Sequence, residues 1–137
     1  MENLKTFEEL KCWQACRDLR KFVSKSILPS LPKDERFRLT DQLIRATRSS
    51  TANIAEGYGR FHYLDNAKFC SNARGSVWET LDHLLTAHEC QFIDDETLEH
   101  GRDMVNTAVK ILNGYIAYLR KAAQSPAATP NQDPDNQ

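Results

Sequence analysis

The sequence predicts an all-α protein, a single up-down-up-down antiparallel four-helix bundle. Three observations carry that expectation. Apolar residues recur at three- and four-residue steps through four long segments. Proline, glycine and paired aspartate punctuate the chain between them. No stretch shows the two-residue alternation of a strand, and no segment repeats. At 137 residues the chain is long enough for one domain with a real core.

The first helix is predicted from about Phe7 to Leu28. Thr6 followed by Glu9 has the capping-box pattern, and Leu10, Trp13, Cys16, Leu19, Val23 and Ile27 form its stripe. Pro29 and Pro32 end it, because proline has no N–H to donate and disfavours helix in the residue before it. The second helix should begin at Asp34, a good N-cap, and run to Glu56 or Gly57, with Leu39, Leu43, Ala46, Ser50 and Ile54 inward. Gly57 and Gly59 suit a helix end and a turn.

The third helix is predicted from Leu64 to Cys90, its stripe traced by Ala67, Cys70, Ala73, Val77, Leu81, Leu84 and Ala87 and widened by Trp78 and Leu85. Asp94-Asp95 then caps a fourth, holding to Ala123 and lined by Leu98, Val105, Ala108, Leu112, Tyr115 and Leu119. Gly101 and Gly114 read as its weak points, each costing about 1 kcal/mol against alanine. Helices of this length, at ~1.5 Å per residue, make rods of roughly 30–40 Å, and short links make them antiparallel neighbours. Residues 1–124 form the bundle. Residues 125–137 hold three prolines and no large apolar side chain, and read as a disordered acidic tail.

Charged residues make up 27% of the chain and the formal net charge is -1, so no strong electrostatic preference for a partner is visible. With Asp133 and Asp135 set aside, 18 basic residues face 17 acidic ones, unlike a dedicated nucleic-acid binder. The longest apolar runs fall well short of the ~18 residues of a membrane span, and the N-terminus lacks a signal peptide's apolar core. A cytoplasmic protein is expected. Cys12, Cys16, Cys70 and Cys90 all sit in apolar contexts and read as reduced thiols in or near the core.

The segment Arg45 to Arg60 departs from a plain amphipathic pattern. Ser49, Asn53, Glu56 and Arg60 fall on one side of the second helix, interleaved with small or apolar residues. If the following turn is centred near His62, residues whose numbers sum to about 124 face each other. Arg45 then meets Glu79, Ser49 meets Gly75, Asn53 meets Ser71 and Glu56 meets Lys68. Two readings follow. Arg45, Ser49, Asn53, Glu56, Gly75 and Glu79 form a helix-pairing network that fixes register, or Arg48, Arg60, Lys68 and Arg74 form a surface for an anion or nucleic acid. Tyr58, Phe61 and Tyr63, clustered at the hairpin tip, suit a subunit interface or base stacking.

FEELKCWQAC near the N-terminus, LTDQLIRATRSSTANIAEGYGR in the centre and ARGSVWETLDHL beyond it resemble the bacterial four-helix-bundle proteins encoded in 23S rRNA intervening sequences. The accessory proteins of diversity-generating retroelements belong to the same family. The resemblance spans about Phe7 to Lys121. It implies an up-down bundle, assembly as a five-fold ring and, for the retroelement members, binding of nucleic acid and a partner reverse transcriptase through basic surfaces.

Other chemistries find no support. A di-iron centre needs Glu-x-x-His on two helices, whereas Glu79 to His83 and Glu96 to His100 are four apart. Cys90 and His88 lie two apart on a helix and do not face each other. No glycine-rich phosphate loop follows a strand. No catalytic residue, metal, cofactor, small-molecule substrate or membrane partner is expected. The residues predict a non-enzymatic four-helix scaffold, and the resemblance implies that it is a homopentamer that binds nucleic acid or a nucleic-acid enzyme such as a reverse transcriptase. Its alternative is a protein–protein interaction module.

Overall fold

The computed structural model describes residues 5–125. Among these, four α-helices and no strand are present: α1 (Lys11–Phe22), α2 (Leu39–Tyr58), α3 (Tyr63–Glu89) and α4 (Asp95–Ala123). Helices α1 and α3 each pack between α2 and α4, and the most extensive seams are α2–α3 and α3–α4. Beyond Ser125, the predicted acidic tail lies outside the described residues.

The first helical segment is less regular than its stripe suggests. Phe7–Glu9 form a 3-10 turn, and Leu10 is extended before α1 begins. That break lets Phe7 lie edge-on to Trp13 (5.4 Å) and Tyr58 (6.4 Å). The capping pattern survives in altered form: Thr6 Oγ1 accepts from the Glu8 N–H, and Glu9 accepts from the Lys5 N–H. Past Phe22 the helix widens into a π-helical segment, Val23–Ile27. Apolar residues at strict four-residue steps drift about 40° per step around an α-helix. The wider turn corrects that drift and keeps Leu19, Val23 and Ile27 all buried.

Helix α2 starts at Leu39 rather than Asp34. Lys33–Glu35 form a 3-10 turn, and the Glu35 carboxylate accepts from the Leu39 N–H at 3.1 Å. Residues 33–38 offer only Phe37, which is 83% exposed, so no burial supports extending the helix backward. Asp94 does cap α4, accepting from the Thr97 N–H at 2.8 Å. Helix α3 ends in a Schellman arrangement: Gln91 sits at φ 65, Phe92 N–H bonds Ala87 O and Gln91 N–H bonds His88 O.

The core is a continuous cluster in which Leu19, Ile27, Leu43, Ile54, Leu84, Leu112, Ile116 and Leu119 are almost wholly enclosed. Glycine tightens it at two places. A β-carbon on Gly101 would lie 2.7 Å from Leu84 Cδ1 and 3.2 Å from Phe22, so the predicted weak point of α4 is a close-packing position. Gly57 lies in the last turn of α2, at the helix end where the sequence pattern places it, with Gly59 as the C-cap; it is also buried, and its β-carbon would meet Asn66 Oδ1 at 2.6 Å.

Candidate interaction surfaces

The α2–α3 hairpin has the predicted register to within a residue, with Gly57 opposite Asn66 and Ser49 opposite Ser76. The pairings differ in detail. Ser76 Oγ donates to Ser49 Oγ at 3.0 Å, while Gly75 is exposed and nothing lies within 4 Å of where its β-carbon would be. Asn53 does not cross to Ser71; it turns back on the Ser49 carbonyl (2.9 Å) and hydroxyl (3.0 Å). Arg45 pairs with Asp41 at 2.9 Å, Glu56 with Arg60 at 3.1 Å, and Glu79 with His83 at 3.1 Å. The predicted Arg45–Glu79 and Glu56–Lys68 bridges are absent. All four residues lie on outward faces, where partners four residues away on the same helix are nearer and water competes for the rest.

The four candidate nucleic-acid cations divide between two sides of the bundle. Arg60 is paired with Glu56 and lies over the Phe69 ring at 4.8 Å, and Arg74 crosses to α4 to donate to Asn113 at 2.7 Å. Lys68 is exposed on α3. Arg48 points the other way, into a groove against α1 with Arg20 and Lys21. The sequence reading missed Arg20 and Lys21 because they belong to a different helix, α1.

Of the predicted interface aromatics, Phe61 is 55% exposed, while Tyr58 and Tyr63 are half-buried against their own core. On α3, two large apolar side chains were not foreseen as surface residues. Leu64 is 62% exposed, and Trp78, placed in the core stripe by the sequence pattern, is 46% exposed. Leu64, Ser71, Trp78 and Leu85 recur every seven residues, so they line one side of α3. The Ser71 hydroxyl oxygen is covered and has no hydrogen-bond partner among the described residues. The seven-residue spacing was visible in the sequence, but it runs beside the core stripe and was absorbed into it.

A second apolar surface lies between α1 and α4. A groove of about 890 Å³ is bordered by Leu10, Ile111, Tyr115 and Tyr118, with Cys12 at its base. Tyr115 and Tyr118 stack at 6.3 Å with their rings 11° from parallel. Behind them is a small polar nest. Asn66, fully buried, donates to Tyr115 Oη at 3.1 Å, and Cys70 Sγ donates to Asn66 Oδ1 at 3.4 Å. Burial pushes the Cys16 and Cys70 thiols up to about 12 and drives Cys12 and Tyr115 above their ordinary ranges. Such thiols stay protonated and unreactive. Cys90 is the exception to the predicted core placement: it caps α3 on the surface.

Among the described residues, no group of three or more His, Cys, Asp or Glu side chains is placed to hold a metal ion. No described helix is long and apolar enough to cross a membrane.

Residues 8–114 match the model of the 23S rRNA-intervening sequence protein family. A solved structure from Bacteroides thetaiotaomicron, a protein of unknown function from the S23 ribosomal protein family, superposes with a TM-score of 0.58 at 21% identity. The match covers 78% of this chain and 93% of that one and speaks for the fold. No curated protein matches the chain. The family match spans most of the chain, which therefore belongs to the 23S rRNA-intervening sequence protein family.

Proposed function

We propose that this family member is a non-enzymatic cytoplasmic scaffold that assembles with copies of itself and works through the surfaces the assembly presents. The observation that carries the reading is the side of α3 lined by Leu64, Ser71, Trp78 and Leu85. Two large apolar side chains stand in water there, with a covered, unbonded hydroxyl between them. A lone chain gains nothing from exposing Leu64 and Trp78, whereas a partner surface would take both out of water. Five-fold closure into a homopentamer is what the family resemblance adds. Replacing Leu64 and Trp78 by glutamate should convert the assembly to monomer on a sizing column while helicity by circular dichroism is kept. An unchanged elution volume would refute the role of α3.

For the partner of the assembly, the geometry favours a protein. Arg60 and Arg74 are engaged within the chain, and Arg48 is turned away from them. A second reading, binding of nucleic acid or of a reverse transcriptase, draws on Arg48, which has no ion pair among the described residues. Salt-sensitive anisotropy of labelled RNA that falls with Arg48→Ala would favour it. RNA binding that persists unaltered in that variant would set it aside.

A further inference from the structure

We propose that the groove between α1 and α2 bordered by Arg20, Lys21 and Arg48 is a binding site for a phosphate group, borne either by a free polyphosphate anion or by a phosphodiester backbone. It is a cavity of about 250 Å³ whose wall also includes Ser24, Thr47 and the apolar side chains of Val23, Leu28 and Ile44. Three cations from two helices converge on it, and no carboxylate lines it.

Arg20 is half-buried, and its guanidinium is held by Thr51 Oγ1 at 2.7 Å, a neutral partner. None of the three cations has a carboxylate within ion-pair distance among the described residues. The acids closest to them along α1 and α2, Asp18 and Asp41, pair with Arg17 and Arg45. Partial burial of an arginine without a counter-charge is costly, and a guanidinium fixed by one hydrogen bond keeps other N–H groups for an anion's oxygens.

The π-helical segment that keeps Val23 and Ile27 in the core also shapes the wall of this cavity. Val23 and Ser24 begin the segment, Leu28 closes it by donating to the Val23 carbonyl, and all three residues line the cavity. Such widened turns concentrate at functional sites. Offsetting the dipole of α1 would account for Arg20 and Lys21 in its last turn. It would not account for Arg48, brought to the same cavity by the neighbouring helix. The site stands whether or not the chain assembles.

The test is calorimetric titration of the full chain with pyrophosphate at low salt, beside anisotropy of a short labelled single-stranded RNA. The variant Lys21→Glu/Arg48→Glu changes side chains with no hydrogen bond to the fold, and Lys110→Glu/Lys121→Glu on α4 is its charge-matched control. Binding should weaken about tenfold or more in the first, the equivalent of one charge-assisted hydrogen bond, and stay unchanged in the second. Pyrophosphate binding without RNA binding assigns the group to a free anion. RNA binding without pyrophosphate binding, lost in the same variant, assigns it to a phosphodiester. Failure of the native chain to bind either probe, or equal weakening in both variants, overturns the proposal.

Discussion

Substituting alanine for glycine inside these helices should change sign with position, and Gly57 is where the effect is most demanding. A β-carbon there would lie 2.6 Å from Asn66 Oδ1, 3.0 Å from Phe69 Cβ and 3.1 Å from the Asn66 carbonyl. Two of those atoms belong to the backbone or its first carbon and cannot swing away. The third belongs to a side chain that is wholly buried and bonded to Tyr115 and Cys70. Overpacking of this kind costs about 1–3 kcal/mol, and a displaced buried hydrogen bond adds about 1 kcal/mol. The better helix propensity of alanine returns about 1 kcal/mol. Gly57→Ala should therefore destabilise the fold by about 1–3 kcal/mol. Gly75→Ala and Gly114→Ala, with nothing within 4 Å of the new carbon, should instead stabilise it by about 0.5–1 kcal/mol. Urea unfolding of all three at one protein concentration measures the contrast. A Gly57→Ala variant that gains as much stability as Gly75→Ala would refute the close approach of α2 and α3.

Three further outcomes are expected. Gln91→Gly should raise stability by about 0.5–1 kcal/mol, because a side chain at φ 65 is strained where glycine is not; equal urea midpoints would contradict this. Under native conditions a thiol reagent should label Cys90 alone of the four cysteines, with Cys12, Cys16 and Cys70 reacting only on unfolding; labelling of a second thiol before unfolding would show the core is open. The hydrogen bonds from Thr97 hold the Asp94 carboxyl below its usual range, so the native state binds fewer protons there than the unfolded chain. Its contribution is present above the ordinary aspartate range and is lost as pH falls through the lowered value. The melting temperature of the native chain should thus exceed that of Asp94→Asn at neutral pH and converge on it in acid; a pH-independent difference would sink the cap's ionic character.

Periodicity made the four helices legible, because burial of an apolar stripe decides both whether a helix forms and which way it faces. Its limits are physical too. Asp34 has the chemistry of an N-cap, yet Phe37 finds no cover and the helix waits for Leu39. The hairpin register was recoverable from turn position alone, as Ser49 and Ser76 show. The ion pairs across it were not, since Arg45 and Glu79 each had a partner one turn away on its own helix. Glycine carries a second signal besides its place at helix ends. Gly57 and Gly101 matter for the side chain they lack, which only the neighbouring helix reveals. Arg20 and Lys21 could not be joined to Arg48 before α1 and α2 were set side by side.

Sedimentation velocity of the native chain across a range of micromolar concentrations tests the central claim most directly. Self-assembly as a five-fold ring predicts one dominant species near five times the 15.7 kDa chain mass, collapsing to monomer when Leu64 and Trp78 become glutamate. A native chain that sediments as a monomer throughout would contradict the scaffold, and the exposed side of α3 would then have no copy of itself to meet.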